Sequence, residues 1–166
     1  MSVELLVLLT GTFAAAAIDI RTRRIPNGLT AALAVAALGL RLFDGAPALF
    51  VSVAAMLVAF GLGSLAFSAG WLGGGDVKLI AAACGVVSVP GCFSLVAFIL
   101  IAGGVIAIVQ AARTGRLVAL VRDVSTIAIT RGAPQTRTPL PYGVAIAAGS
   151  AAYALSLLFS TAVVPG

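Results

Sequence analysis

Histidine is absent from this chain, which excludes imidazole metal sites and every nucleophile that leans on a histidine base. Cysteine occurs twice, at Cys84 and Cys92, too few for a thiolate zinc cage or a disulfide framework. Both sit in an apolar region and read as small core hydrophobes. No metal and no organic cofactor is therefore expected. Charge is scarce as well, at 9% of residues, where a soluble domain carries roughly a quarter. Acids are the scarcest: Glu4, Asp19, Asp44, Asp76 and Asp123 are all there are. Internal repeats and low-complexity tracts are missing, which weighs against a transporter built from two related halves. What fills the 166 residues is apolar side chain, 61% of the total, with a mean hydropathy of +1.20. Water would not keep such a surface dispersed, so lipid is its solvent. One membrane-embedded domain over residues 1–166 is the simplest organisation.

The net charge of +5 and the pI near 10.3 would suggest nucleic acid in a soluble protein. In a bilayer the positive-inside rule explains them, and no nucleic-acid partner is expected. Apolar periodicity predicts six spans, at about residues 3–20, 29–43, 48–69, 77–89, 93–112 and 142–164. The first lacks a basic segment ahead of it and reads as a retained span rather than a signal peptide. Six spans with both termini outside put nine of the ten basic residues, all but Arg41, in cytoplasmic loops. Arg41 is expected to snorkel outward. The 77–89 segment is short for a crossing. Within the polar 113–141 loop, Leu117, Leu120, Val121, Val124 and Ile127 recur at helical spacing, which predicts an amphipathic interfacial helix. The fold class is all-α and polytopic.

This topology puts Asp19 and Asp76 at the same membrane face. Asp19 ends the first apolar run; Asp76 follows Gly73, Gly74 and Gly75 at the mouth of another. Ionisable groups at such places are rare, paired and functional. Each has a blander reading: Asp19 as the (i, i+4) partner of Arg23, Asp76 as a helix cap. Two close carboxyls can instead share a proton, one drawing a proton from water while the other polarises a carbonyl. The glycines would let an extended backbone approach.

Those residues carry a resemblance. Gly73-x-Gly75-Asp76 followed by Val77-Lys78-Leu79 resembles the GxGD signature of membrane aspartyl proteases. Asp19 with Ile25-Pro26-Asn27 resembles the first aspartate motif of type IV prepilin peptidases, and Pro141-Tyr142-Gly143 is similar to that family's Pro-Phe-Gly element. The likeness covers about residues 15–150. It implies an aspartyl endopeptidase of the bacterial inner membrane, removing prepilin leaders at the cytoplasmic face after a glycine. Asp19 and Asp76 would be its catalytic pair, while Gly73, Gly74, Gly75, Lys78, Pro26, Asn27, Pro141, Tyr142 and Gly143 support the site or bind substrate. Its partners would be a prepilin, with leader and apolar helix, the bilayer, and pilus-assembly proteins. Larger relatives also methylate the new N-terminus through a domain bearing two CxxC pairs between the first two spans. Fewer than ten residues stand there here, so methylation is not expected, and the short form is similar to peptidases of tight-adherence (Flp) pili. Three readings compete: a GxGD protease for other signal or membrane peptides, a small proton-coupled transporter using the same acids, and a non-catalytic pilus-assembly paralogue, which the presence of both acids disfavours.

Overall fold

The structure, a computed structural model, describes residues 2–115 and 142–163. The described residues form five helices: α1 (Val3–Thr22), α2 (Asn27–Phe43), α3 (Ala46–Ser68), α4 (Gly74–Arg113) and α5 (Tyr142–Val163). The interfacial helix expected in the 113–141 loop lies outside the described residues, and so does Pro141.

Among the described residues the six expected membrane spans are not found. Four of the five helices, α1, α3, α4 and α5, are long and apolar enough to cross a bilayer. Helix α2, at 17 residues, reaches only about 25 Å along its axis, short of a ~30 Å hydrocarbon core. The segments expected as separate fourth and fifth spans are two helical stretches, 74–87 and 90–113, joined without a loop at a sharp kink and taken together as α4. It bends where Ser88 takes a left-handed φ of 56° and Val89 is extended, ahead of a cis Val89–Pro90 peptide. Proline cannot donate to the preceding turn, so a helix tends to break there. The sequence does mark this place as a turn; what it hides is how tight the turn is.

Residues 74–87 and 90–113 fold back on one another. Cys84 and Cys92, one on each side of the bend, bring their Sγ atoms to 2.8 Å, both buried and both free thiols. The second half runs antiparallel to α5. Gly91 faces the Tyr153 hydroxyl, Gly149 faces Ile99, and Gly103 faces Ala145. The approach is closest at Gly149, where a Cβ would lie 2.5 Å from the Ile99 Cα. Small residues let membrane helices pack at such range, where apolar burial alone gives no advantage over lipid.

The fully buried side chains Leu8, Leu79, Leu95 and Ile146 come from α1, both halves of α4, and α5. Helix α3 lies to the side, with Phe50, Leu57, Leu62 and Leu65 exposed toward what would be lipid. Its one buried hydroxyl, Ser52, donates to the Gly85 carbonyl at 2.8 Å. That bond fastens α3 to the first half of α4.

Arg41 does not snorkel outward. Its side chain is 13% exposed and turned into the bundle, where Nη1 pairs with Glu4 at 2.7 Å and with Asp44 at 3.1 Å. Nη2 donates to the Val86 carbonyl at 2.6 Å. That carbonyl would ordinarily accept from the amide four residues on, which is Pro90 and has no N–H. The guanidinium supplies the missing donor and ties α1, α2 and α4 together. Replacing it in Arg41→Met leaves a buried acceptor unpaired, while the partly exposed acids can turn to water. Thermal unfolding in detergent should show a loss of about 1–3 kcal/mol. An unchanged midpoint would mean the bond contributes nothing.

Candidate functional site

Asp19 lies in the last turn of α1, which stops because Arg23 adopts a left-handed φ of 54° and its amide closes on the Asp19 carbonyl at 2.8 Å. The Asp19 carboxylate accepts at Oδ2 from the backbone N–H of Gly143, 3.0 Å away in the first turn of α5. Only glycine fits there, since a Cβ on residue 143 would sit 2.9 Å from the Asp19 Cβ and 3.0 Å from Oδ2.

Asp76 stands three residues into α4. Its Oδ2 reaches back to accept from the Gly73 N–H at 3.1 Å, satisfying one of the amides a helix start leaves without a partner. The capping reading of Asp76 is therefore true of one oxygen, and the second is free for other work. Among the described residues, Oδ1 of Asp19 and Oδ1 of Asp76 make no hydrogen bond. Both carboxylates are buried, at 7% and 9% exposure.

The other expected residues gather around them. Gly75 packs on Ile25, where a Cβ would meet the Ile25 Cβ at 3.1 Å, so the segment after α1 lies directly on the start of α4. Gly74 faces the ring of Phe67 at the end of α3. Pro26, extended at φ −65° and ψ 135°, caps α2 through its carbonyl, which accepts from Leu29 and Thr30. The Lys78 ammonium donates to Asn27 Oδ1 at 2.8 Å, joining α4 to α2. Thus the C-terminal ends of α1 and α3 and the N-terminal ends of α2, α4 and α5 converge on one end of the bundle. Arg21, Arg23, Arg24 and Lys78 belong to that end, whereas Glu4, Arg41 and Asp44 cluster at the other.

Sequence reasoning missed the backbone amide of Gly143 as the partner of Asp19. The residue was flagged only through a motif, because a main-chain donor leaves no mark in side-chain chemistry. No group of three or more metal-binding side chains occurs among the described residues.

Two buried carboxyls at one end of the bundle, each with one oxygen committed to a backbone amide, keep one oxygen apiece for proton transfer. A carboxyl with an uncommitted oxygen can exchange a proton with water. The chain matches the family model described as "Type IV leader peptidase family" over residues 6–108, more than half of its length and inclusive of both aspartates. No curated protein and no solved structure matches it.

Proposed function

The chain belongs to the type IV leader peptidase family, membrane aspartyl peptidases that cut prepilins, and from that premise we propose that Asp19 and Asp76 are its catalytic pair. The ionised carboxyl takes a proton from water, which attacks the scissile carbonyl. The protonated partner donates to the carbonyl oxygen as it gains charge, and later a proton passes to the leaving amine. The observation that carries this reading is the matched geometry of the two acids. Each is buried at the same end of the bundle and fixed through Oδ2 by a backbone N–H.

Sidedness follows from charge. The end of the bundle that holds the aspartates also holds Arg21, Arg23, Arg24 and Lys78. Under the positive-inside rule that end faces the cytoplasm of a bacterial inner membrane. The turn between α1 and α2 is residues 23–26 alone, which supports a peptidase without the methylating insert and a short-form role in Flp-type pili. Both termini outside and 1–166 as one peptidase domain remain parts of this reading. Gly73, Gly74 and Gly75 accommodate the stretched substrate, and Pro26, Asn27, Lys78, Pro141, Tyr142 and Gly143 shape the site around it.

The reading is tested by reconstituting the chain in vesicles with a purified Flp-type prepilin. Leader release with a new N-terminus immediately after a glycine, and no added methyl group on that terminus, is the expected product. An uncut prepilin under conditions that support a reference peptidase would overturn it. Cleavage of unrelated signal peptides at equal rates would favour the broader GxGD protease instead.

A further inference from the structure

Beside the carboxylates, a groove of about 510 Å³ opens between α2, α3 and α4. Its floor is made of small side chains, Ala31 and Ala34 from α2 and Ala81 and Ala82 from α4. Leu57 and Phe60 of α3 form one wall, and both are exposed. The polar end is the Asn27–Lys78 pair. Lys78 is two residues from Asp76, and Asn27 is two residues from Ile25, which packs on Gly75. The groove's polar end is thus formed by near neighbours of the residues proposed for the chemistry.

Resting on the peptidase reading above, we propose that this groove seats the apolar helix that follows the scissile bond of the prepilin. Lys78 then binds carbonyls of the stretched segment between the cut and that helix. Three features argue for a helix over other occupants. Along α2 the floor runs from Asn27 to Ala34, a rise of about 10 Å, which matches two turns of a docked helix. A floor of alanines admits the side chains of a partner helix at close range, the kind of packing that competes with lipid tails. Lys78 supplies what an acyl chain does not require. An ammonium has three donors, and Asn27 takes one. Peptide carbonyls pulled out of a helix beside a bilayer need donors, because lipid offers none. Asn27 holds the ammonium at the mouth, where it would meet them.

The test places a photoreactive residue at Leu57 in the Asp76→Asn chain, reconstituted with prepilin, and a second one at Val105 as a control on an exposed face elsewhere. Leu57 should cross-link to the apolar helix of the prepilin, and Val105 should not. Cross-links from Leu57 only to lipid, including a headgroup phosphate held by Lys78, or only to a second copy of the chain, would overturn the proposal. In the active chain, Ala34→Phe fills the floor and should raise KM about tenfold while kcat stays within about twofold. Lys78→Gln should lower kcat/KM about tenfold or more, with partial recovery in Lys78→Arg. Unaltered kinetics in Ala34→Phe also defeats the proposal. Should the chain not cut prepilins at all, the peptidase reading fails. Cleavage that depends on Asp76 but ignores the groove defeats this inference alone.

Discussion

Asp19→Asn and Asp76→Asn should each reduce leader removal by about 10³-fold or more, and the double variant should be no worse than either alone. General acid–base participation accounts for about 10²–10⁴ in rate at each group. Groups that act as a unit lose most of their joint effect when one is removed. A 10³-fold loss corresponds to about 4 kcal/mol of transition-state stabilisation. Asparagine is the right replacement because it keeps the fold. Its carbonyl oxygen can still accept from Gly143 at position 19 and from Gly73 at position 76, so the amides at the starts of α5 and α4 keep their partners. What it removes is the ability to take and return a proton. Both variants should therefore insert and melt as the parent does. Rate measurements on reconstituted prepilin decide the matter, and a single variant that retains more than about a tenth of parental turnover would remove the pair from the chemistry.

Gly149→Ala should do harm far beyond one methyl group. Its Cβ would meet the Cα of Ile99 at 2.5 Å and the backbone nitrogen at 2.6 Å. A backbone cannot rotate away, so α5 must move off the second half of α4 by nearly an ångström to reach ordinary contact. Overpacking of this kind costs about 1–3 kcal/mol. The larger consequence is for the site, since α5 carries the Gly143 amide that holds Asp19. A displacement of about 1 Å in a reacting group can cost about 10² in rate. Activity should fall with stability at position 149, although it lies far from the carboxylates in sequence. Gly104→Ala is the contrast: among the described residues nothing lies within 4 Å of its would-be Cβ, and neither property should suffer. Equal behaviour of the two variants would show that the packing at Ile99 is not what positions α5.

These positions also show what was legible in the sequence. The placement of Asp19 and Asp76 at one end of the bundle could be read because apolar runs and arginines are strong, local signals that fix which end of a helix faces which way. The break near Ser88–Pro90 was visible for the same reason, through proline and its neighbours. The number of spans was not. Hydropathy recognises an apolar run but not whether two runs join through a three-residue bend, nor whether 17 residues suffice to cross. Arg41 was misplaced because a cation near a helix end ordinarily snorkels, and the carbonyl it serves is orphaned by a proline 49 positions away. Gly149 was indistinguishable from its small neighbours, since its importance lies in a contact with a main chain 50 residues distant. Long-range partners, above all those made by backbone atoms, leave the faintest trace.

The way Asp19 is held has a bearing on inhibition. An inhibitor that spans the two free carboxyl oxygens would rest on a geometry set by main-chain amides, from Gly143 and Gly73. Drug resistance usually arises when a target exchanges one side chain for another. Here there is no side chain to exchange at either anchoring donor, and at Gly143 any added side chain collides with the aspartate itself. Escape would have to come from the rim of the site, at the cost of contacts that the natural substrate also uses.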